Sequence, residues 1–402
     1  MLTADAYRWW SRYLQGKNEL ELLVSDNLKQ LSAVGQAIWL DYIDRTMLRN
    51  GDLARRIRDD ALTGMTSNPT IFEKALAEGN AYDDQIRSAA GDFTAMELFE
   101  LIATTDVRDA CDIFRPTYDR TNGNDGYVSI EVSPAAANDA RTTISEATRL
   151  WAAVDRPNVM VKVPGTVEGA VAVRQLTANG VNVNITLLFA IEAYKRVIDA
   201  YVAGLQDRVK AGKDVSRIHS VASFFVSRVD TEVDKRLEAS IAKNPANQQT
   251  LKALEGKAAI ANAKLAYKLF QSEIDSPRWQ SLASSGATVQ RPLWASTSTK
   301  NPAYRDVMYV EQLIGPDTVN TMPPQTIDAF RDHGVVARTV DAGVDESQRT
   351  IDALEKNGVS MRDVTDKLLT DGIASFQKSF ETLLAGLEKK TKALGKDLVA
   401  SR

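Results

Sequence analysis

The stretch Asn158-Val-Met-Val-Lys-Val-Pro-Gly165 has the pattern of a short buried strand that carries one lysine. Because successive strand residues face opposite sides, Lys162 shares a side with Met160, and the three valines share the other. Pro164 and Gly165 then end the strand. Burial favours the neutral, nucleophilic form of a lysine amine, so Lys162 is a candidate Schiff-base residue. The alternative is a lysine that reaches solvent from the strand end, since lysines are rarely buried without a partner.

The composition predicts a globular protein of the cytoplasm. The chain has 402 residues, of which 44% are hydrophobic and 25% charged, and its formal net charge is −4. That charge gives no electrostatic reason to expect nucleic acid or an anionic membrane as a partner. Cys111 is the one cysteine, which excludes an internal disulfide and fits a reducing compartment. The sequence shows neither a signal-peptide pattern nor an apolar run of membrane-spanning length.

From residue 36 onward, short β-branched or aromatic runs alternate with longer helical patterns, as in βα units around parallel strands. The clearest helix covers residues 188–209, where apolar residues recur every four positions. Eight such units predict an α/β fold, a (β/α)8 TIM barrel. A doubly wound open sheet is the alternative, because a sequence does not show whether a sheet closes. The predicted strands cover residues 36–43, 62–68, 126–133, 158–163, 180–185, 218–223, 288–296 and 318–322.

Additional helical segments flank the predicted barrel, and the whole chain is predicted to form a single domain. The barrel core covers about 36–334, with N-terminal helices in 1–31 and a helical extension in 335–402. In that extension, Ser360 and Asp363 have the spacing of a capping box that opens a long amphipathic helix. We expect this helix to pack on the barrel. Its alternative role is contact with a second copy, so the expected state is a monomer or a homodimer.

Polar side chains gather at the carboxyl-terminal ends of the predicted strands. In Val128-Ser-Ile-Glu-Val-Ser133, for example, Glu131 shares one face with two serines, and aliphatic residues occupy the other. In a parallel barrel these ends meet at one rim, where active sites are built. One serine or asparagine often only satisfies a turn, but so many together favour a shared site. The polar residues at these ends are Asp41, Thr66, Asn68, Glu131, Asn184, Thr186, Ser223 and Ser296.

These residue types suit covalent carbonyl chemistry that needs no metal and no other cofactor. Lys162 would attack a ketone and form an iminium that acts as an electron sink, while Asp41 and Glu131 would move protons. Arg228 stands where a helix begins after the sixth strand, a position that suits a phosphate group. A solvated helix residue is the alternative for Arg228. The amides that would bind substrate hydroxyls are those of Asn68 and Asn184.

Other chemistries find no motif in the sequence. His219 and His333 lie far apart without metal-ligand spacing, and His219 reads as a packed strand residue. No glycine-rich dinucleotide motif and no phosphate-binding P-loop is present. Cys111 lies in a helical pattern and is interpreted as a packing residue.

Several short motifs together resemble the transaldolase family. They occur in the family's order and span most of residues 36–330. Their joint match is far more specific than any one of them alone. The motifs are Trp39-Leu-Asp41, Thr66-Ser-Asn-Pro-Thr70, Ser129-Ile-Glu-Val132, Val159-Met-Val-Lys-Val-Pro164 and Val183-Asn-Ile-Thr-Leu-Leu-Phe189.

The resemblance implies reversible transfer of a dihydroxyacetone unit between sedoheptulose 7-phosphate and glyceraldehyde 3-phosphate, in the pentose phosphate pathway. It implies that Lys162 is the Schiff-base nucleophile and Asp41 the base for carbon–carbon cleavage. Glu131 and Thr186 would position a catalytic water, and Arg228 would bind phosphate. The residues implied to orient the donor are Asn68, Asn184 and Ser223.

The sequence departs from the family pattern after the seventh strand. Better-known members continue there with Ala-Ser-x-Arg, whose arginine is a second phosphate ligand. In this chain the run is Ala295-Ser-Thr-Ser-Thr-Lys-Asn301, so Ser296 is kept but Ser298 stands where the arginine is expected. Lys300 is therefore the candidate for the second phosphate ligand, as a point charge rather than a bidentate one.

Three alternatives follow from the sequence. A fructose 6-phosphate aldolase would use the same chemistry but release free dihydroxyacetone; such enzymes are shorter than this chain. A phosphosugar isomerase or binding barrel would have no covalent step. A non-enzymatic binding protein would not need a buried lysine between two carboxylates.

Overall fold

Eight parallel strands form a closed barrel in the computed structural model, which describes residues 26–89 and 93–400, with side chains through residue 394. The strands are β1 (Gln36–Asp41), β2 (Leu62–Thr66), β3 (Tyr127–Glu131), β4 (Val159–Pro164), β5 (Val183–Leu188), β6 (Ser220–Phe225), β7 (Gln290–Ala295) and β8 (Thr318–Met322). β1 pairs with both β2 and β8, so the sheet has no free edge. The predicted (β/α)8 barrel is confirmed, and the open sheet is wrong.

The predicted strands are all present, but some of their limits were wrong. The fifth strand was expected over 180–185 and begins at Val183. Gly180, with φ +94°, instead ends the preceding helix in the left-handed conformation that favours glycine. The second strand was expected to reach Asn68 and ends at Thr66, because Asn68 caps the next helix.

Helices surround the barrel and cover part of its carboxyl-terminal rim. They are α1 (Asn27–Ala33), α2 (Arg45–Arg49), α3 (Asp52–Asp59), α4 (Pro69–Ala77), α5 (Asp83–Ala89), α6 (Ala95–Arg120), α7 (Ala140–Val154), α8 (Val167–Asn179), α9 (Ile191–Lys210), α10 (Ser227–Lys243), α11 (Gln248–Lys252), α12 (Ala258–Ile274), α13 (Pro277–Ala283), α14 (Met308–Gln312), α15 (Pro324–His333), α16 (Val344–Lys356) and α17 (Met361–Ala400), with 3-10 turns at Pro134–Asn138 and Pro245–Asn247. The helix expected over 188–209 is α9, which begins later because Leu188 still pairs with Phe224 in the sheet.

The core lies in two layers, one between the strands and the helices and one inside the barrel. Val159, Val161 and Val163 of β4 are fully buried, as expected for the side that faces the helices. At the amino-terminal end of the barrel, Trp39 packs so closely on Gly64 that a Cβ there would lie 2.5 Å from its ring. The strand geometry at this end therefore depends on glycine at position 64.

The long helix predicted after Ser360 is present as α17, and it crosses the carboxyl-terminal rim. Gly372 packs on Leu187 at the end of β5, and farther along Ser379 accepts a hydrogen bond from Thr70 at 2.9 Å. Near the far end, Lys390 Nζ lies 2.8 Å from Asp83 of α5. α16, which precedes α17, lies inside the predicted helical extension 335–402, although no limits were predicted for it as a separate helix. Residues 1–25 lie outside the described residues, as does most of the predicted N-terminal helical segment.

Within the described ranges, no helix combines the length and the apolar character needed to cross a membrane.

Candidate active site

Lys162 lies inside the barrel, between the strands that carry Glu131 and Asn184. Parallel pairing sets Lys162 beside Glu131 of β3 on one side and beside Asn184 of β5 on the other. Its Nζ atom lies 3.2 Å from Glu131 Oε2, and both side chains are only 6% exposed. The same Nζ donates a hydrogen bond of 3.0 Å to the carbonyl oxygen of Ser67. The lysine is thus buried and partnered, so the alternative of a solvent-exposed strand-end lysine is wrong.

Two carboxyl groups near Lys162 have raised proton affinity. Burial raises the pKa of Glu131, and the charge and hydrogen bond of Lys162 oppose that rise. Burial also raises the pKa of Asp41, opposed by the charges of Lys162, Lys300 and Arg228, in that order. A buried amine beside carboxyls whose pKa is raised can exchange protons with a bound substrate, as general acid–base chemistry requires.

A hydrogen-bond chain across three strands fixes the amide of Asn184. Ser223 Oγ donates to Asn184 Oδ1 at 2.7 Å, and Asn184 Nδ2 donates to Ser129 Oγ at 3.0 Å. All three side chains are buried. The two serines therefore determine which way the amide faces, and one amide hydrogen of Asn184 is left for another acceptor.

Two threonine hydroxyls on the site strands lack partners. Among the described residues, Thr66 Oγ1 and Thr186 Oγ1 are buried without a hydrogen-bond partner. Thr66 pairs in register with Asp41, and Thr186 follows two residues after Asn184 on the same strand face. Because an unpaired buried hydroxyl is costly, both are available to a water or a substrate group.

Asn68 lies at the end of the β2 segment, half-buried at the start of α4. Its Oδ1 accepts a hydrogen bond of 2.9 Å from the backbone N–H of Ile71, which makes it the N-cap of that helix. The cap uses only the oxygen of the side-chain amide, so the Nδ2 group is free to donate to a ligand.

Arg228 and Lys300 supply positive charge on the strand 6 and strand 7 side of the rim. Arg228 is half-buried with its guanidinium 5.1 Å from the centre of the Phe225 ring, and no carboxylate of the described chain lies within 4.0 Å of it. Desolvation and the Arg228 charge lower the pKa of Lys300, an exposed residue whose Nζ donates to Ser298 Oγ at 2.7 Å. Two cations that have no carboxylate partner in the described part of the chain favour an anionic ligand.

Ser296 follows β7 in the left-handed conformation, with φ +58°. Its Oγ lies 3.0 Å from Ser227 Oγ, and its carbonyl oxygen accepts a hydrogen bond of 3.1 Å from Ser227 N–H. These contacts join the end of β7 to the start of α10, where Arg228 follows. Ser296 is therefore beside the cationic part of the rim.

The structure brings the predicted site residues to one end of the barrel and adds contacts of three residues that the sequence did not assign to the site, Ser129, Ser227 and Ser67. Strand alternation had indicated the side chains of Ser129 and Thr66 but not their role in the site. Ser227 could have been noticed because it directly precedes Arg228. The contact between Lys162 and the Ser67 carbonyl could not be predicted from the sequence, because every residue carries a carbonyl group.

Cys111 and His219, which the sequence patterns indicate as packing residues, lie away from these contacts. Cys111 is buried in α6, where burial raises the pKa of its thiol, so its interpretation as a packing residue is confirmed. His219 packs against Tyr127 at 5.4 Å between ring centres, and burial lowers its pKa to about 3. It is a packed residue, as predicted, with its Nδ1 3.3 Å from Thr288 Oγ1, but it lies just before β6 rather than in the strand.

A buried lysine beside carboxylates, on the carboxyl-terminal rim of a (β/α)8 barrel, is the arrangement of the class I aldolase superfamily. The chain belongs to the Transaldolase/Fructose-6-phosphate aldolase family, whose model matches residues 38–387. The predicted family is thereby confirmed.

Individual relatives match over nearly their whole length. The chain is 51% identical to the transaldolase of Thermobifida fusca (strain YX) over 359 residues, which are 89% of this chain and 96% of that protein. It is 48% identical to the transaldolase of Acidothermus cellulolyticus over 368 residues, 91% of this chain and 97% of the relative. Transaldolase 2 of Nostoc sp. (strain PCC 7120) is 45% identical over 375 residues, covering 92% and 98%.

Proposed function

We propose that this chain is a transaldolase, an enzyme that transfers a dihydroxyacetone unit from sedoheptulose 7-phosphate to glyceraldehyde 3-phosphate. The products are erythrose 4-phosphate and fructose 6-phosphate, and the reaction belongs to the pentose phosphate pathway. The observation that carries the proposal is the buried Lys162, with its Nζ 3.2 Å from Glu131 Oε2 on the rim of the barrel. Membership of the family supports the same reaction.

The reaction begins with a Schiff base on Lys162. The neutral Nζ attacks the C2 ketone carbon of the donor, and the resulting carbinolamine loses water to give an iminium. Glu131 protonates the carbinolamine hydroxyl, which leaves as water, and Glu131 and Thr186 hold that water. The raised pKa of Glu131 and the unpartnered hydroxyl of Thr186 support this role.

Asp41 then acts as the base for carbon–carbon cleavage. It removes the proton of the C4 hydroxyl, the C3–C4 bond breaks, and its electrons pass to the iminium nitrogen. The aldose phosphate leaves, and dihydroxyacetone stays on Lys162 as an enamine. The same steps in reverse join this enamine to the acceptor aldehyde, and water finally releases the product. The raised pKa of Asp41 supports its role as a base near neutral pH.

The remaining residues hold the substrate. The fixed amide of Asn184 and the free Nδ2 of Asn68 bind donor hydroxyls, and Ser223 keeps the Asn184 amide in orientation. Arg228 and Lys300 bind the phosphate, with Ser296 beside them. No cofactor takes part in these steps.

The whole chain acts as one domain, with its core at about 36–334. The packing of Gly372 on the end of β5 and the hydrogen bond between Ser379 and Thr70 support a single structural unit made of the barrel and the C-terminal extension. The protein works in the cytoplasm as a monomer or homodimer, and the buried free thiol of Cys111 is compatible with that compartment.

A transfer assay tests the proposal against the aldolase alternative. With fructose 6-phosphate and erythrose 4-phosphate we expect formation of sedoheptulose 7-phosphate, and with fructose 6-phosphate alone only traces of free dihydroxyacetone. Lys162→Met should abolish transfer and leave the fold intact. Lys264→Met is the matched control, because Lys264 is also buried and donates to a carbonyl, that of Ala342 at 2.9 Å. Equal release of dihydroxyacetone with and without acceptor would identify an aldolase instead.

A further inference from the structure

The segment that carries Lys300 connects β7 to α14 and is held at its start by Thr297. Thr297 Oγ1 donates to Asn320 Oδ1 at 2.8 Å and lies 3.2 Å from the carbonyl oxygen of Thr321. Thr297 is fully buried, and both partners lie on β8. The first residues of the loop are therefore attached to the barrel itself.

A second attachment follows Lys300 by four residues and leads to α10. Tyr304 donates a hydrogen bond of 2.7 Å to Asp234 Oδ2, and Asp234 Oδ1 accepts one of 3.0 Å from Gly256 N–H. The Tyr304 ring packs directly over Gly256, where an added Cβ would lie 2.8 Å from the ring. The Asp234 carboxylate, the Tyr304 ring and Gly256 thus form one contact cluster, which we call the joint. The side chains of Tyr304 and Asp234 are half-buried in it.

This joint connects the loop to the helix that carries Arg228. Asp234 and Arg228 both belong to α10, so the distance between the joint and Arg228 is set by a rigid helix. Lys300 lies between the two attachments, and its Nζ donates a hydrogen bond to Ser298 within the same loop. A lysine ammonium sits on a flexible stem, so the backbone that carries it sets only the region that its Nζ can reach.

We propose that Tyr304 and Asp234 are positioning residues that hold Lys300 at a set distance from Arg228, so that the two cations clamp one substrate phosphate. The inference rests on the proposed function, in which Lys300 binds phosphate. It explains how a loop lysine can serve where Ser298 stands in place of an arginine. Tyr304 and Asp234 act on the phosphate through Lys300 and do not touch the reacting carbons.

The test is a double-mutant cycle with Tyr304→Phe and Lys300→Ala, measured with glyceraldehyde 3-phosphate and with unphosphorylated glyceraldehyde as acceptors. Tyr304→Phe should raise KM for the phosphorylated acceptor by about three- to tenfold with little change in kcat, because only phosphate binding is weakened. With glyceraldehyde the variant should behave like the parent protein. In the Lys300→Ala background Tyr304→Phe should have no further effect on KM. Asp234→Ala should reproduce the Tyr304→Phe result.

Tyr309→Phe is the matched control. Tyr309 also donates to a carboxylate of α10, that of Asp230 at 2.9 Å, but it lies beyond the segment between the two attachments. We expect lower thermal stability from this variant and an unchanged KM. An equal rise in KM would assign the effect to displacement of α10 and would overturn the inference.

The outcomes separate the inference from the proposed function. If Lys300→Ala raises KM but Tyr304→Phe and Asp234→Ala do not, the positioning role is wrong and the phosphate role of Lys300 stands. If Tyr304→Phe still raises KM when Lys300 is alanine, the positioning role is equally wrong. If Lys300→Ala leaves KM unchanged, the phosphate assignment under the proposed function is itself wrong, whatever the result at Lys162.

Discussion

At the scale of single residues, the site depends on charges that are buried together. The ammonium of Lys162 and the carboxylate of Glu131 are each removed from water, and their 3.2 Å contact offsets part of the cost. The carboxyl remains easy to protonate because burial raises its pKa. Proton transfer from Lys162 to Glu131 would leave a neutral amine and a neutral acid, the pair that nucleophilic attack on a ketone requires.

Glu131→Gln tests this account of the carboxyl. The variant keeps the size of the side chain but removes its ability to exchange a proton, so we expect turnover to fall by about 10²- to 10⁴-fold in the transfer assay. Glu146→Gln is the control, because Glu146 accepts hydrogen bonds from Ser133 at 2.8 and 2.9 Å rather than from Lys162. Turnover of Glu131→Gln within a factor of two of the parent would contradict the role of this carboxyl.

Much of the site at this scale could be predicted, because strand alternation determines which side chains share a face. It indicated Lys162, Glu131 and Asn184 as inward-facing, and the register pairs these three side by side. The hydrogen-bond partners could not be predicted in the same way. The contact of Lys162 with the Ser67 carbonyl depends on where the backbone leaves β2, and side-chain patterns carry no information about that.

At the scale of elements, α17 approaches the end of the site that carries Arg228. A Cβ added at Gly372 would lie 3.0 Å from Leu187 Cδ2 and 3.8 Å from a guanidinium nitrogen of Arg228. Leu187 is only 2% exposed, so its side chain has little room to move away from an added group. The small size of residue 372 thus allows the helix to lie on the rim without displacing Arg228.

Gly372→Leu should therefore weaken phosphate binding. The added side chain would push α17 away or move Arg228, and we expect KM for fructose 6-phosphate to rise by about tenfold, with a smaller change in kcat. Gly386→Leu in the same helix is the matched control, since nothing lies within 4 Å of a Cβ at that position. If the two variants have the same KM, the close approach of α17 has no part in phosphate binding.

The existence of the elements was easier to predict than their limits. Every predicted strand is present, since buried apolar runs between turn residues are a strong signal. The predicted limit between β5 and α9 was wrong because of Leu187 and Leu188, which follow Val183-Asn-Ile-Thr186. An apolar pair at that place fits the end of a strand and the start of a helix equally well. That α17 crosses the rim rather than lying against the barrel wall depends on tertiary packing, which no local pattern contains.

At the scale of the whole molecule, both ends of the barrel interior carry buried polar groups. At the amino-terminal end, Asp125 accepts a hydrogen bond of 2.9 Å from the Trp39 indole and lies 3.4 Å from Arg291, while Gln290 Oε1 lacks a hydrogen-bond partner among the described residues. At the carboxyl-terminal end, Thr66 and Thr186 have unpartnered hydroxyls within the same described ranges. Because active sites of (β/α)8 barrels are built at the carboxyl-terminal end, the two hydroxyls there are the ones available to a substrate.

Barrel closure is the whole-molecule feature that the sequence could not establish. Eight βα units fit an open sheet as well as a barrel, and only the pairing of β1 with β8 distinguishes them. Closure matters for function because it brings Asp41 of the first strand near Lys162 of the fourth, whose charge acts on the Asp41 pKa.

The central claim is that Lys162 forms the covalent link to substrate, and borohydride trapping tests it most directly. The protein is incubated with fructose 6-phosphate and sodium borohydride, and the reduced adduct is located by peptide mass mapping. We predict one adduct, on Lys162, with none on Lys264, which is also buried but donates its hydrogen bond to the carbonyl of Ala342 rather than to a carboxylate. No adduct, or an adduct on another lysine while Lys162 stays unmodified, would contradict the account.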